Sequence, residues 1–206
     1  MLLPYLEADR IEAGCDEVGR GCLCGPVVAA AVILPSGYSN KWINDSKKIT
    51  KAEREDLVVE ISNVALSWAV AEASVAEIDQ INILNASFLA MERAIRKLSP
   101  TPEHLLIDGN RFKTTLNIPF DCIVKGDGKF ASIAAASILA KVHRDRYMAH
   151  LALEFPGYGW EKNAGYPTKA HREAIRRNGP TPWHRQTFRL LPDQLTLGFN
   201  STTDSN

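Results

Sequence analysis

Few features of this sequence mark a specialised class of protein. The 206 residues include only 4 Cys, 13 Gly and 11 Pro, a composition that excludes disulfide-scaffold, collagen-like and low-complexity proteins. No stretch approaches the ~20 apolar residues that a membrane span requires, and residues 1–10 have no basic region followed by an apolar core. We therefore expect a cytoplasmic monomer with no membrane partner, built as one domain over residues 1–193 with a polar tail over residues 194–206.

Cysteine spacing and charge distribution narrow the function classes further. The four cysteines form no C-x-x-C pair and no histidine lies at zinc-finger spacing from them, so we expect buried or idle thiols and no structural zinc. The net charge is zero, yet residues 125–189 hold 12 Lys and Arg against 5 Asp and Glu, whereas residues 1–124 hold 12 against 17. A basic second half suits a phosphate-rich partner, although an ordinary solvated surface explains it equally well.

Hydrophobic patterning predicts alternating strands and helices. Apolar runs bounded by turn residues predict strands at residues 11–15, 27–34, 66–73, 105–107 and 122–124. Capping boxes and apolar residues at three- and four-residue steps predict helices that begin after Thr50 and Ser74, and helices over residues 84–98 and 131–154. The first two strands suit a hairpin, and the later alternation favours an α/β layered fold with a mixed sheet.

Four acidic residues stand at the ends of predicted strands. Asp16 and Glu17 end the first strand, Asp108 ends the strand at 105–107, and Asp127 follows the next one. In open α/β sheets ligands bind at such strand ends, where gathered carboxylates repel one another unless cations are present. Oxygen ligands without histidine or thiolate favour Mg²⁺ or Mn²⁺, and two such ions would suit a phosphoryl displacement. Taken singly, each acid is better explained as a helix cap or a turn residue.

The adjacent acids Asp16 and Glu17 conflict with a regular strand. Successive side chains of a strand point to opposite faces of the sheet, so only one of the two carboxylates would face the other acids. We therefore expect a strand end or a bulge at Glu17.

Several polar positions suit contacts with nucleic acid. Gly19-Arg20-Gly21 combines a close-approaching backbone with a phosphate-binding guanidinium, and its amides and carbonyls suit a ribose 2′-hydroxyl. Lys47 suits a phosphate or a leaving oxygen, although an exposed turn explains its segment at least as well. Ser137 and Lys141 share one face of a helix rich in Ala and Ser that would pack on the sheet or on a nucleic-acid backbone, with a merely exposed lysine as an equal alternative.

The later part of the chain adds aromatic and basic residues. The segment 157–168 combines glycines with Tyr158, Trp160 and Tyr166, which suit either stacking on nucleic acid or covering the core. The helix that follows carries residues suited to duplex phosphates, namely His171, Arg172, Arg176 and Arg177.

Six motifs occur in this order: Gly14-Cys15-Asp16-Glu17-Val18-Gly19-Arg20-Gly21, Asp45-Ser46-Lys47-Lys48, Ile107-Asp108-Gly109, Lys125-Gly126-Asp127, Ala135-Ala136-Ser137-Ile138-Leu139-Ala140-Lys141-Val142 with Arg144-Asp145, and Gly165-Tyr166-Pro167-Thr168. Together they resemble bacterial ribonuclease HII, of the type 2 ribonuclease H family, over about residues 11–190. The sequence departs from that family at Cys15, where an aliphatic residue is usual. This difference alters packing behind the site and leaves the chemistry intact.

The resemblance implies a ribonuclease H-like layered fold, with a mixed central sheet flanked by helices and a C-terminal helical segment. It also implies an endonuclease that hydrolyses the RNA strand of RNA–DNA hybrids and nicks 5′ of single ribonucleotides in duplex DNA. The implied biological roles are ribonucleotide excision repair and removal of RNA primers.

The resemblance also assigns roles to residues. The ligands of two Mg²⁺ or Mn²⁺ ions would be Asp16, Glu17, Asp108 and Asp127. In-line attack of water on the phosphate would then leave 3′-hydroxyl and 5′-phosphate ends. Gly19-Arg20-Gly21 would read the 2′-hydroxyl, Tyr166 would sense the ribo-to-deoxyribo junction, and Lys47 would contact the substrate.

Two other interpretations stay open at this point. One is the sister ribonuclease type with an added N-terminal substrate-binding domain, but no such extension precedes these motifs and that type lacks Gly19-Arg20-Gly21. The other is a binding module for nucleic acid whose acids merely hold a structural cation. Metal-dependent cleavage of an RNA–DNA hybrid would separate the alternatives.

A last feature lies outside the six motifs. The segment Gln194-Leu195-Thr196-Leu197-Gly198-Phe199 resembles the Q-L-x-L-x-F peptide by which bacterial repair and replication proteins bind the sliding clamp. The resemblance implies that Gln194, Leu195, Leu197 and Phe199 contact the clamp. The alternative is a final segment that packs on the core.

Overall fold

The computed structural model of this chain describes residues 2–40, 43 and 50–192. Within them the strands are β1 (Glu12–Val18), β2 (Val27–Ile33), β3 (Ser67–Ala73), β4 (His104–Asp108) and β5 (Phe120–Ile123). The helices are α1 (Lys51–Val64), α2 (Val75–Ile95), α3 (Ala131–Glu154), α4 (Trp160–Asn163) and α5 (Lys169–Asn178), and a 3₁₀ turn at Gly126–Gly128 precedes α3. The predicted elements are present in the predicted order, which confirms the α/β class.

The strands form one mixed sheet in the order β3-β2-β1-β4-β5. β1, β2 and β3 pair antiparallel, which confirms the predicted opening hairpin. β1, β4 and β5 pair parallel, so their carboxyl ends lie at the same edge of the sheet. Strands that run in the same direction need a crossover connection, and α2 provides it between β3 and β4.

Helices cover both faces of the sheet. α2 packs on the face that carries Cys15, Ala29 and Ile107. α1 and α3 pack on the opposite face, which carries Val28 and Ala30. The two sets alternate along β2, and all seven residues of this strand are buried, which explains its uninterrupted apolar sequence.

Capping boxes begin α1 and α2 as predicted. Thr50 Oγ1 accepts a hydrogen bond from the backbone amide of Glu53, whose carboxylate in turn accepts from the Thr50 amide, and Ser74 begins α2 in the same way. The helix after Ser74 and the one predicted over residues 84–98 form a single element. It is kinked at Asn82, whose φ of 65° is not helical and whose side chain caps the second half.

The aromatic loop belongs mainly to the core. Tyr158 and Trp160 are buried and stack on each other, with ring centroids 5.0 Å apart. They join the cluster formed by α4, α5 and the end of α3. Of the loop's aromatic residues, Tyr166 is the exposed one, so only its ring is accessible to nucleic acid.

The prediction that the basic residues of α5 face duplex phosphates is wrong for two of them. His171 is fully buried, because it packs within the aromatic cluster. The guanidinium of Arg172 donates hydrogen bonds to the carbonyls of Arg189 and Leu190 and so fastens the chain after α5. Arg176 and Arg177 are exposed, as predicted.

Some predictions fall outside the described residues. Lys47 is one of these positions, and the tail peptide accounts for the others, namely Gln194, Leu195, Leu197 and Phe199.

Cys15, Cys22 and Cys24 are buried free thiols as expected, whereas Cys122 is partly exposed. Among the helices that the structure describes, none combines the length and the apolarity needed to cross a bilayer.

A close contact between β1 and α3 sets the distance between the sheet and this helix. A Cβ atom added to Gly14 would lie 2.3 Å from the backbone nitrogen of Ile133 and 2.3 Å from the backbone carbonyl carbon of Ser132. The obstacle is backbone, which cannot turn aside as a flexible side chain would. Gly14 is therefore required for α3 to reach the sheet and to carry its polar residues to the end of β1.

We expect Gly14→Ala to destabilise the fold by about 1–3 kcal/mol or more, because the added methyl group forces helix and sheet apart. Urea unfolding measures the loss. Gly128→Ala is the matched control, since a Cβ there meets no atom within 4 Å. Equal stability of the two variants would contradict this account of the contact.

Candidate active site

Two of the predicted acids lie side by side because their strands run parallel. The register pairs Cys15 of β1 with Ile107 of β4, so the following residues, Asp16 and Asp108, are neighbours at the carboxyl ends of the two strands. Cys15 and Ile107 face α2. Because side chains alternate along a strand, Asp16 and Asp108 both point to the face that α3 covers. Asp16 is 6% exposed there.

Glu17 joins these acids without the expected bulge. β1 runs regularly through Glu17, which pairs with Ala29 of β2, and ends one residue later at Val18. The pairing with β4, in contrast, stops at Cys15, so the β4 side of the strand is open at both acids. The backbone amide of Glu17 donates to Asp16 Oδ1 at 2.7 Å, and its carboxylate binds the Arg20 guanidinium at 3.0 Å.

Asp127 approaches the site on the 3₁₀ turn that precedes α3. The backbone amide of Gly126 donates to Asp108 Oδ1 at 2.6 Å, and Asp127 is the next residue. A Cβ atom on Gly126 would lie 2.6 Å from Ile133 Cδ1 and 3.3 Å from Asp108 Oδ1, so any larger residue would require these side chains to shift. The turn therefore carries Asp127 next to the residue that binds Asp108. Its role as a fourth metal ligand stays a prediction.

The acids at this sheet edge oppose one another's ionisation. Burial, opposed by a hydrogen bond from Ser137 and reinforced by the charges of Glu17 and Asp108, raises the pKa of Asp16 from 3.8 to about 8. Burial likewise raises the pKa of Glu17, against the opposing effect of Arg20 and with the charge of Asp108 as a further cause. Such a cluster ionises readily only beside a cation. Its donors are all carboxylate oxygens, so the residues fit a hard divalent ion such as Mg²⁺ or Mn²⁺.

The two polar residues predicted on α3 have different surroundings. Ser137 hydrogen-bonds to Asp16, which places it within the acidic cluster. Lys141, one turn further along α3, donates to Asp145 Oδ1 at 2.6 Å. Contact of either residue with substrate stays a prediction.

Gly19-Arg20-Gly21 forms a tight turn directly after β1. The amide of Cys22 donates to the Gly19 carbonyl at 3.3 Å, which leaves Arg20 and Gly21 exposed at the tip. The amide of Leu23 donates to the carbonyl of Gly165 at 2.8 Å, and the side chains of Tyr166 and Cys22 are in hydrogen-bond contact. The fold therefore brings Tyr166 beside this turn, although about 145 residues separate them in the sequence.

Two arginines that the sequence analysis missed hold this region in place. Arg185 donates to the carbonyls of Gly19 and Arg20, and Arg144 donates to those of Cys24 and Ala164. Both arginines are fully buried. Arg144 belongs to the fifth of the six motifs, although its structural role was not predicted. No sequence signal distinguished Arg185 from the surface arginines around it, because its unusual feature is its burial.

A group of possible metal ligands outside the acidic cluster lies beneath this region, where Cys24, His171 and His184 converge within 4.8 Å. His171 Nε2 accepts a hydrogen bond from the Trp160 indole at 2.9 Å, and His184 Nδ1 accepts from the Thr181 amide at 2.8 Å. Burial lowers the pKa of both histidines, that of His184 to about 4, so both are neutral. His184 Nε2 then carries a proton directed at His171, and the group is a hydrogen-bonded network within the core.

Comparison with known proteins decides the family. The family Ribonuclease HII matches residues 13–191 of this sequence. The chain belongs to the ribonuclease HII family. It is 63% identical over 199 residues to ribonuclease HII of Parabacteroides distasonis, covering 97% of this chain and 100% of that protein. It is 60% identical over 200 residues to ribonuclease HII of Bacteroides thetaiotaomicron, with the same coverage.

Solved structures agree with this ribonuclease HII assignment. Ribonuclease H2 of Pyrococcus horikoshii matches with a TM-score of 0.73 at 24% identity, covering 87% of this chain and 94% of that one, which shows the fold. Ribonuclease HII of Archaeoglobus fulgidus, solved as a complex with PCNA, matches with a TM-score of 0.68 at 26% identity, covering 91% and 98%. Bst-RNase HIII, solved with Mn²⁺, matches with a TM-score of 0.61 at 22% identity, covering 82% and 63%.

Membership of the ribonuclease HII family confirms the predicted family and enzyme class. The chain is a metal-dependent endoribonuclease that cleaves the RNA strand of RNA–DNA hybrids. The ribonuclease H-like fold predicted from the resemblance is confirmed as well.

The raised pKa of Asp16 predicts how stability depends on pH when metal is removed. Since the folded state holds this proton more tightly than the unfolded chain, the stabilisation is complete below about pH 4 and is lost as pH rises towards about 8. In EDTA we therefore expect the free energy of unfolding to fall between pH 5 and pH 8, by at most about 1.4 kcal/mol per pH unit from this group. Asp16→Asn should make the free energy of unfolding depend less steeply on pH, and excess Mg²⁺ should have the same effect on the native chain.

Urea unfolding at several pH values, with and without Mg²⁺, measures these slopes. Asp56→Asn is a suitable control, because Asp56 is an exposed acid on α1. If Asp16→Asn and the native chain lost the same stability over this range in EDTA, the buried-acid account would be wrong.

Proposed function

We propose that this ribonuclease HII nicks duplex DNA on the 5′ side of single embedded ribonucleotides, as well as cutting longer hybrids, and thereby serves ribonucleotide excision repair and RNA primer removal. The observation that carries the proposal is the adjacency of two sites. The acidic cluster of Asp16, Glu17 and Asp108 lies at the end of β1, and the Gly19-Arg20-Gly21 turn follows after one residue. In a nucleic-acid strand the scissile phosphate and the 2′-hydroxyl of the adjacent ribonucleotide are also close neighbours, so two adjacent sites on the protein suit them.

We infer that two Mg²⁺ or Mn²⁺ ions bind the four acids Asp16, Glu17, Asp108 and Asp127. Mn²⁺ in the structure of Bst-RNase HIII supports this type of ion. When bound, the ions would lower the pKa of a water molecule and offset the charge that develops on the phosphate, leaving 3′-hydroxyl and 5′-phosphate ends.

The residues of this chain have distinct parts in the proposed reaction. Asp16 and Asp108 hold the ions on the α3 side of the sheet, and Ser137 orients Asp16 by a hydrogen bond. Arg20 keeps Glu17 directed towards the turn. The backbone of Gly19-Arg20-Gly21, which is exposed at Arg20 and Gly21, reads the 2′-hydroxyl, and Tyr166 stacks at the ribo-to-deoxyribo junction. Lys47 and Lys141 contribute to substrate binding through its phosphates.

We expect Asp16→Asn and Asp108→Asn to lower the cleavage rate at least about 100-fold, since each removes a charge from the metal site. A fluorescent duplex with one ribonucleotide, assayed in Mg²⁺ and in Mn²⁺, measures the rate. Thermal unfolding should show both variants folded, because either change relieves repulsion within the cluster. Asp56→Asn provides the control, and near-native cleavage by Asp16→Asn would refute the assignment.

The roles of Arg20 and Tyr166 predict a change in substrate choice. Arg20→Ala and Tyr166→Ala should slow cleavage at single ribonucleotides by about tenfold, the effect of one lost stacking or charged contact. Binding to an all-DNA duplex should change little, since it depends on phosphates. Arg96→Ala, which breaks a comparable exposed pair with Glu92, and Tyr5→Ala, an equally exposed tyrosine, are matched controls. Equal losses on both measurements would contradict the role in junction reading.

We further propose that Gln194, Leu195, Leu197 and Phe199 bind the bacterial sliding clamp. The complex of PCNA with the Archaeoglobus fulgidus enzyme supports a clamp as partner. Deletion of residues 194–206 should abolish retention of the enzyme on immobilised clamp and leave cleavage of a short free duplex unchanged. The control is a Leu195→Ala, Phe199→Ala double variant, which should lose retention equally. Retention of the truncated chain would refute the proposal.

A further inference from the structure

Two buried guanidinium groups lie directly beneath the Gly19-Arg20-Gly21 turn. Arg144 comes from α3 and Arg185 from the segment after α5, and both have 0% exposure. In the part of the chain that the structure describes, neither forms a salt bridge with a carboxylate. Burial lowers the pKa of Arg185 to about 10, so it is still charged at neutral pH. A buried charge without a counter-charge is costly and needs hydrogen bonds to offset it.

Arg185 obtains those hydrogen bonds from backbone carbonyls of one segment. Its Nη2 donates to Gly19 O at 2.7 Å and its Nη1 to Arg20 O at 3.0 Å. Its Nε and Nη2 both donate to Gly25 O, at 3.1 and 2.9 Å. The rigid fork of one side chain therefore binds both ends of the loop between β1 and β2.

The hydrogen bonds to the Gly19 and Arg20 carbonyls also determine which backbone groups of the turn face outward. In a trans peptide unit the carbonyl of one residue and the amide N–H of the next point in opposite directions. With the Gly19 and Arg20 carbonyls turned inward to Arg185, the amides of Arg20 and Gly21 point away from the core. No described residue accepts a hydrogen bond from either amide, and both residues are exposed.

Arg144 also packs against this turn. A Cβ atom on Gly19 would lie 2.3 Å from Arg144 Nε, and the φ of Gly19 is +96°. The turn therefore rests on two arginines and has little freedom to rotate its peptide planes.

We infer that Arg185 is a positioning residue for substrate recognition: by binding the carbonyls of Gly19 and Arg20 it aims the amides of Arg20 and Gly21 at the ribonucleotide. The inference rests on the proposed reading role of this turn and adds the residue that sets its geometry. Arg185 itself touches no substrate, because all of its surface is covered by protein. Lysine cannot replace it, since a single ammonium group lacks the fork that reaches three carbonyls.

Binding measurements on two duplexes test the inference. Fluorescence anisotropy in EDTA, which prevents cutting, gives Kd for a duplex with one ribonucleotide and for the same duplex made of DNA alone. We expect the native chain to prefer the ribonucleotide by about tenfold, the effect of one additional hydrogen bond. Arg185→Lys should reduce this preference to about twofold and leave Kd for the DNA duplex unchanged.

Arg172→Lys is the matched control, because Arg172 also binds two backbone carbonyls but holds the C-terminal segment. It should keep the full preference. An intact preference in folded Arg185→Lys would overturn the inference, and so would an equal weakening of both Kd values, which a merely structural role produces. No preference in the native chain would instead refute the proposed reading role, and the inference with it.

Amide hydrogen exchange on the native chain tests the geometry without a variant. The amides of Arg20 and Gly21 should exchange rapidly in the free protein and slow on addition of the ribonucleotide duplex, with less slowing by the DNA duplex. Protection of both amides in the free protein would show that they point inward, and would overturn the inference even if Arg185→Lys failed to fold.

Discussion

The burial of Asp16 beside other carboxylates is the constraint on which the rest of the site depends, because burial first, and the charges of Glu17 and Asp108 in addition, raise the pKa of Asp16. The parallel register of β1 and β4 fixes the two strand ends side by side, and α3 covers the face to which Asp16 and Asp108 point. The backbone cannot relieve the repulsion, because the core on the opposite face fixes which side chains point where. The fold therefore keeps the acids together at a cost in stability that a divalent cation offsets.

The region beside the acids has an excess of positive charge. Arg144 and Arg185 are buried cations that bind carbonyls, so the loop after β1 lies over positive charge while the strand end before it carries negative charge. Glu17 and Arg20 form a direct ion pair at the boundary. A nucleic-acid strand bound together with metal ions would suit both parts, because the ions would neutralise the carboxylates and the arginines would attract the phosphates. The net charge of zero, from 24 Lys and Arg against 24 Asp and Glu over the whole chain, gives no sign of this local division.

Local sequence signals predicted the elements well, and the failures have physical causes. The capping boxes at Thr50 and Ser74, and the apolar run of β2, depend on interactions within a few residues and are present as predicted. At Glu17 we expected a strand end or a bulge. The structure has no bulge there: β1 ends one residue later, at Val18, and its pairing with β4 already stops at Cys15, which leaves the β4 side open at both acids. Patterning along one strand contains no information on where its neighbour ends.

For the site, too, features with a signal in the sequence pattern were predictable and those that depend only on distant contacts were not. The proximity of Asp16, Glu17 and Asp108 was predictable because acids that follow neighbouring strands meet at one edge of a sheet and because six motifs agree in order, whereas each acid alone suits a cap or a turn. His171 and Arg172 were misplaced because residue type alone puts basic side chains on the surface, whereas here one packs within an aromatic cluster and the other holds a chain segment. Arg185 carried no signal at all, since its importance arises from contacts with residues about 165 positions earlier in the chain.

The proposed roles of the acids and of the Gly19-Arg20-Gly21 turn place cutting and recognition on different structural supports within one small enzyme. The acids depend on the sheet and α3, and they require only that β1, β4 and the 3₁₀ turn keep their places. The Gly19-Arg20-Gly21 turn depends in addition on Arg185 and on the packing of Tyr166 against the loop, both of which come from the part of the chain after α3. If the turn and the acids have the proposed roles, changes in that C-terminal part alter the choice of substrate through backbone hydrogen bonds and leave the carboxylates of β1 and β4 in position.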